Sequence, residues 1–448
     1  MEKIAGSFRD PSGQVFYDKN NIYRKIFPSF FDQYEQCQKF IYKESIRKKF
    51  LINFKKISQN HQEIIIKPEK IPYISYPHEW TFEQYKEAAL FHLKFHIFLL
   101  NRNFTLKDST PFNVQFIGSK PVFIDHLSIV EYERNTHWNG YMQFCEMFLY
   151  PLLIISEKKF IINQYLNAKI DGLSLDSTFN LLSWISLVKP RIFLHVTLPV
   201  LIKKFFFNEN RELTKNSFSK NNYINLLNHL HNFINGLTFN LKKTTWDDYK
   251  CNNFYAKNEQ KVKDRVVIDF IKKNKNKVYI DLGSNTGHYS DLAIKNGAKY
   301  VVGFDFDLGA LKQSRKIALK HKTKFLPLFL DAKNPTPNMG WAQKERLGFV
   351  ERSSIFDVAI VLAFEHHLVI TNNVPIENFI EWLIKLAPVG LVEFVPKEDG
   401  AIKKLMNNRE DIFYHYNAEN FVNELKKYKQ IVNITPISKS GRILVEYR

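Results

Sequence analysis

The stretch Asp281-Leu-Gly-Ser-Asn-Thr-Gly287 constrains this chain more than any other. It follows a short apolar run, Val278-Tyr-Ile-Asp281, and opens an amphipathic segment, Tyr289 to Lys295. A glycine pair in that position lets the backbone turn sharply, approach a ligand closely, and aim helix N-terminal N–H groups at a carboxylate or phosphate. The same alternation continues downstream. Strands are expected at Tyr300–Asp305, Phe325–Leu330, Phe356–Leu362 and Gly390–Val395, with helices at Leu308–Lys320 and Phe379–Leu386. Such alternation implies a doubly wound α/β sheet. Ile431-Val-Asn-Ile-Thr-Pro and Arg442-Ile-Leu-Val-Glu-Tyr are expected to add an antiparallel pair at its end.

The glycine spacing separates possible cofactors. The dinucleotide fingerprint is Gly-x-Gly-x-x-Gly, whereas this loop is Asp-x-Gly-x-x-x-Gly, on Asp281, Gly283 and Gly287. That pattern resembles class I methyltransferases that use S-adenosylmethionine (SAM), a Rossmann-like fold. The resemblance implies that the loop, with Ser284 and Asn285, holds the methionine part of SAM. Asp305 ends the second strand, 22 residues after Gly283, where an acid accepts both ribose hydroxyls. Phe306 is placed to lie on the adenine face, and Asp331, ending the third strand, stands where the family often puts an acid near the adenine amino group.

The fourth strand runs into Leu362-Ala-Phe-Glu-His-His-Leu368. Ligands of open α/β sheets sit outside the carboxyl ends of the strands, so Glu365, His366 and His367 are expected near the transferred methyl group. Methyl transfer depends mainly on positioning, and a base is needed only if the acceptor carries a proton. Histidine, titrating near neutrality, suits that task, and one of His366 and His367 is expected to perform it. Glu393, inside an apolar strand, requires a polar partner or a ligand. No Asn-Pro-Pro-Tyr motif follows the fourth strand, which argues against methylation of adenine amino groups and leaves the acceptor open.

Asp331-Ala-Lys-Asn-Pro-Thr-Pro, Gly340-Trp, Glu345-Arg346, Glu365-His-His-Leu and Pro375 resemble a bacterial methyltransferase group that includes nodulation-protein-like members. Ser7-Phe-Arg-Asp-Pro-Ser-Gly13 and Tyr76-Pro-His-Glu-Trp80 resemble the same group, so the likeness spans nearly the whole chain.

The N-terminal half carries a second pattern. Asp108, four residues, Asn113, then Ile-Asp at Asp125 after a short hairpin resembles the catalytic and metal-binding loops of kinase-like phosphotransferases. The resemblance implies an α+β kinase-like domain in which Asp108 acts as base and Asn113 and Asp125 hold magnesium on ATP. Val15-Phe and Ile22–Ile26 are expected as small-lobe strands, with Arg24 or Lys25 reaching for phosphate. Residues 71–77 would be a hinge, and Thr81 to Asn103 a long helix entering the loop. The sequence departs from the family: Leu106-Lys107 precedes the first Asp, His126-Leu127 follows the last, and no Gly-x-Gly-x-x-Gly loop exists. A degenerate nucleotide-binding or substrate-presenting domain is therefore expected, with an active kinase whose methyltransferase half is regulatory as the alternative, and a non-catalytic scaffold as a third reading.

The 448 residues suggest two domains, 1–245 and 246–448, divided in a polar stretch near 240–255. The net charge of +19 is diffuse, with 33 basic against 23 acidic residues up to position 250 and 31 against 22 beyond it. A nucleic-acid footprint concentrates its basic residues, and no such motif is present. Cys37, Cys145 and Cys251 lie far apart and form no metal pair, which fits a reducing cytoplasm. No leader and no membrane span are expected; the greasiest stretch, Ile192 to Phe207, reads as a buried helix. His92 and His96 share a helix face without a carboxylate in register, so packing is expected of them rather than metal.

Overall fold

A computed structural model describes residues 2–18, 21–134, 136–206, 219–239, 256–407 and 410–448. The expected domain boundary near 240–255 and Cys251 fall outside them.

The N-terminal half opens with an antiparallel sheet of β1 (Glu2–Lys3), β2 (Gly13–Asp18), β3 (Asn21–Ile26), β4 (Phe54–Gln59) and β5 (Ile64–Pro68), in the order β1-β2-β3-β5-β4. Both expected small-lobe strands are present, and the helix Phe31–Phe40 follows β3. The long helix Phe82–Leu100 begins at Thr81, whose hydroxyl accepts from the Gln84 N–H while Gln84 reaches back to the Thr81 N–H. This reciprocal cap satisfies two donors that a helix start leaves open. Two small ladders follow: β6 (Phe104–Leu106) pairs with β9 (Ile129–Glu131), and β7 (Val114–Ile117) with β8 (Lys120–Phe123). His92 and His96 are buried among aromatic rings, and His96 Nε2 lies 2.8 Å from Thr105 Oγ1 and 3.2 Å from the Tyr223 hydroxyl. Helices complete this half.

The C-terminal half is one seven-stranded sheet: β10 (Val278–Leu282), β11 (Tyr300–Asp305), β12 (Phe325–Phe329), β13 (Val358–Val361), β14 (Val389–Phe394), β15 (Ile431–Pro436) and β16 (Ile443–Tyr447). Its order is β12-β11-β10-β13-β14-β16-β15. The first five strands are parallel, and β16 enters antiparallel between β14 and β15. These strands are buried on both faces by helices, which is why they read as unbroken apolar runs. Chain order reverses between β10 and β13, which makes their carboxyl ends the topological switch point where open α/β sheets bind ligands. Glu393 is met by Lys263 at 2.7 Å and Arg442 at 3.2 Å, so its burial is answered by pairing within the chain.

Separate sheets mark the two halves, but one apolar cluster runs through both. Tyr73 stacks on Phe356 at 5.5 Å and meets the edge of Phe304 at 5.7 Å. The Gln84 side-chain amide donates to the Pro327 carbonyl at 3.0 Å, and the Ser119 N–H to the Lys322 carbonyl at 2.6 Å.

Ile192 to Phe207 is not a buried helix throughout. Ile192, Val196 and Val200 face the core, while Phe193, Leu194 and Ile202 are exposed. The chain is helical without a break from Pro190 to Phe206, widened into a π-bulge over Phe193–Thr197. One stripe of a locally apolar sequence packs, and the other does not. Among the described residues no helix is long and apolar enough to cross a membrane.

Candidate active site

The loop after β10 has the backbone that its glycines imply. Gly283 has φ +70° and Gly287 φ +84°. A Cβ on Gly283 would stand 2.9 Å from the Phe364 ring, and one on Gly287 2.8 Å from Ser314 Oγ. Gly287 is the N-cap of the helix His288–Lys295, so the first N–H groups of that helix lie at this loop.

Acids brace this loop from two sides. Asp281 is buried at the end of β10 and accepts from the Ser290 hydroxyl at 2.6 Å; its burial pushes the carboxyl up to about 7. Asp305, at the end of β11, accepts the Asn285 N–H on one oxygen at 2.7 Å and the Asp307 N–H on the other at 2.8 Å. Desolvation raises its carboxyl to about 6, against those two donors. Asn285 sits at φ +47°, so Asp305 holds a strained turn in place. Each oxygen keeps a further lone pair for a hydroxyl. The Ser284 hydroxyl is buried without a hydrogen-bond partner among the described residues. Phe306 is half exposed, its ring 5.5 Å from Phe329.

Asp331 is buried at the third strand end, and its Oδ2 accepts from the Gln164 side-chain amide at 3.0 Å. Gln164 belongs to the N-terminal half, on the helix Asn163–Ala168. A small cavity at that junction is lined by His78, Asn167, Phe329, Asp331, Asn334 and Thr336 among others. Nothing local in the sequence announced Gln164.

Glu365 and His366 are both buried on the helix Glu365–Asn372, which starts after Ala363 at φ +52°. Glu365 Oε1 accepts from the Val395 N–H at 2.8 Å and the Tyr416 hydroxyl at 3.0 Å. Glu365 Oε2 has no hydrogen-bond partner among the described residues and stands 3.6 Å from His366 Nδ1. The carboxylate thus ties the ends of β13 and β14 together with one oxygen and addresses His366 with the other. His367 lies against His366, ring centroids 4.2 Å apart, and burial pushes its imidazole down to about 3. It stays neutral at physiological pH and is a poor proton acceptor there.

The kinase-like positions also assemble, but differently from the expected metal site. Asp125 accepts a salt bridge from Arg24 of β3 and the Leu127 N–H on the same oxygen. Despite desolvation, Arg24 holds the Asp125 carboxyl below the usual carboxylate range. Burial and the neighbouring Asp125 charge raise Asp108. Lys107, near enough to both carboxylates to favour their charged forms, bonds to Asp10 and Ser12, each at 3.1 Å. Asn113 precedes β7 in a short turn, its carbonyl accepting from the Ile124 N–H. A guanidinium stands where Asp125 would hold magnesium, so the set as arranged does not fit the ion. Among the described residues no group of three or more His, Cys, Asp or Glu is disposed to hold a metal.

Sequence reading missed the contacts that fasten the halves beside the site. Glu79 and Arg352 form a buried bidentate pair at 2.5 and 2.9 Å. Arg9 grips Glu345 at 2.7 and 2.9 Å, His78 Nε2 meets Thr336 Oγ1 at 2.9 Å, and the Arg346 guanidinium covers the Phe112 ring at 3.5 Å. Arg9, His78, Glu79, Thr336, Glu345 and Arg346 all belong to the segments that carried the whole-chain resemblance. Those segments meet one another across the junction.

No protein-family model matches the chain. It is 36% identical over 462 residues to the nodulation protein NoeA of Rhizobium meliloti, an alignment that spans 99% of this chain and 96% of that one. Among solved structures, a magnesium protoporphyrin IX methyltransferase from Synechocystis is 16% identical over 42% of this chain and 83% of its own, with a TM-score of 0.31. The N-methyltransferase NodS of Bradyrhizobium japonicum is 11% identical over 42% and 96%, TM-score 0.31. The bifunctional kinase-methyltransferase WbdD is 19% identical over 45% and 41%, TM-score 0.29. Scores this low establish no correspondence between residues.

Proposed function

The chain belongs to the family of the nodulation protein NoeA, and we propose that it is a SAM-dependent methyltransferase whose acceptor is unidentified. One observation carries the reading: at the switch point of the sheet, Asp305 clamps the left-handed Asn285 turn beside two left-handed glycines where a side chain would be strained and crowded. The crevice suits a zwitterionic nucleoside. Gly283 to Gly287 and the following helix start receive the amino-acid end, Asp305 the ribose hydroxyls, Phe306 an adenine face and Asp331 its amino group. When bound, SAM supplies an activated methyl group on a sulfonium.

The residues of the chain then position and desolvate. Glu365, anchored by Val395 and Tyr416, sets its second oxygen 3.6 Å from His366 Nδ1, beyond hydrogen-bond distance but near enough to favour a proton on that nitrogen. That leaves Nε2 of His366 to take a proton from a protic acceptor. The reading narrows the base to His366, with Glu365 as a positioning residue and His367 as its neutral neighbour.

Titration calorimetry with SAM and S-adenosylhomocysteine tests the reading. Wild type should bind both, and Asp305→Asn, with its melting temperature checked, should bind at least about tenfold more weakly for the lost charge-assisted bonds. No binding by wild type would sink it.

The N-terminal half, residues 1–245, is in this reading a kinase-like domain without phosphotransfer, packed on a methyltransferase domain at 246–448. The Arg24–Asp125 salt bridge favours it over the alternative of an active kinase. Magnesium-dependent thermal stabilisation by ATP, lost in Asp125→Ala, would reverse that choice.

A further inference from the structure

The helical end of the N-terminal half exposes an apolar face that the methyl-transfer reading does not use. Nine of the 24 large apolar side chains exposed among the described residues fall between positions 160 and 202. Trp184 is 75% exposed, Val188 65%, Ile185 and Phe160 56%, and Leu181 48%. Single exposed apolar residues need no explanation, but a concentration of this kind marks a contact surface.

The face is held rigid from behind. The short helices Leu175–Leu181 and Trp184–Leu187 are capped by Ser174 and Ser183. Ser186 Oγ donates to Glu157 at 2.6 Å, Lys189 binds the same carboxylate at 2.6 and 2.9 Å, and Thr197 Oγ1 donates to the Leu187 carbonyl at 2.8 Å. Ile192, His195 and Val196 pack inward beneath. The exposed side chains are therefore presented by a fixed scaffold.

Charge selects the occupant. Residues 157–206 carry seven basic residues against three acidic ones. Among the described residues, the ion pairs of this stretch join Lys189 to Glu157 and Lys203 to Asp176, which neutralises two of the three acids. Lys158, Lys159, Arg191 and Lys204 lie outside those pairs and are exposed; Lys158 and Lys159 directly follow Glu157, the carboxylate that holds Ser186 and Lys189. An exposed tryptophan and aliphatic residues on a segment that also exposes cations outside its ion pairs suit the boundary of an anionic bilayer. There the indole sits at headgroup level, the aliphatic tips enter the acyl region, and the cations meet lipid phosphates. We propose that this face docks the protein peripherally on anionic lipid membranes, through Trp184, Ile185 and Val188 with Lys158, Lys159 and Arg191.

Sedimentation of the full chain with vesicles tests the proposal. The protein should pellet with phosphatidylcholine vesicles containing phosphatidylglycerol, much less with phosphatidylcholine alone, and less again at high salt. Trp184→Ser with Val188→Ser should weaken partitioning at least about tenfold at an unchanged melting temperature, since both residues are exposed. Lys158→Gln and Lys159→Gln should each weaken it about fivefold. Three results would overturn the proposal: no partitioning of wild type, equal partitioning onto both vesicle types, or a dimer in solution that Trp184→Ser with Val188→Ser disperses while vesicles leave wild type in the supernatant. The last would assign the face to self-association.

Discussion

The carboxylate of Glu79 and the guanidinium of Arg352 lie 273 positions apart in the chain and meet in a bidentate pair closed off from water. Arg352 also donates to the Ile74 carbonyl at 2.8 Å, and Glu79 accepts the Tyr76 N–H at 2.8 Å, so both ends of the pair are tied to backbone. Removing one partner leaves a buried charge without an answer. Glu79→Ala is expected to destabilise the protein by about 3–5 kcal/mol, and Glu79→Leu with Arg352→Met to recover much of that loss. Urea denaturation of wild type and the two variants measures it. Equal losses in the single and double variants would show that the pair does not act as a unit.

The pairing of Gln164 with Asp331 carries a binding prediction. If Asp331 receives the adenine amino group, Gln164 shares or yields that carboxylate on ligand entry. Gln164→Leu leaves Asp331 without its donor and should change S-adenosylhomocysteine affinity, while Gln164→Glu, which sets two carboxylates against each other, should weaken it by about 1–2 kcal/mol. Calorimetry on both variants decides. Unchanged affinity in both would place Asp331 outside the ligand site.

Gly283 has no room for a side chain. Gly283→Ala meets both a left-handed backbone and the Phe364 ring, and should cost about 1–3 kcal/mol of stability. It should also abolish measurable SAM binding, because relief requires the loop or Phe364 to move. A melting curve and a titration on the same sample separate the two effects.

Asp281 should make stability fall with rising pH. Its carboxyl is raised to about 7 in the fold from an ordinary 3.8. The folded chain therefore keeps a proton that the unfolded chain releases. This contribution is complete below about pH 4 and is lost as pH rises through 7, amounting to at most about 4 kcal/mol. Asp305, raised to about 6, acts with the same sign. Asp281→Asn should flatten the slope of unfolding free energy between these pH values; an unaltered slope would mean that Asp281 is ionised in the fold.

The C-terminal sheet was legible because its determinants are local. Each parallel strand buries both faces and so appears as an apolar run, and each strand end carries its acid within the same few residues. The glycines at 283 and 287 announced their left-handed backbone through the spacing alone. In the N-terminal half, β2, β3 and the helix Phe82–Leu100 were readable for the same reason. Charge composition excluded a concentrated nucleic-acid footprint before any fold was known.

What the tertiary structure decided are the relations that no local pattern encodes. Glu365 was expected from sequence only to lie near the transferred methyl group; only folding brings the Val395 N–H and the Tyr416 hydroxyl to one of its oxygens. Asp125 looked like a metal ligand until β3 delivered Arg24 to it. The run from Ile192 was expected as a buried helix, and only packing chose Val196 for the core and left Leu194 outside. Segments that identify the family, around Arg9, Glu79, Thr336 and Glu345, proved to touch one another. Pairings of this kind depend on loop closure across hundreds of residues, and a sequence read through windows of local periodicity carries no record of which distant partner a side chain will meet.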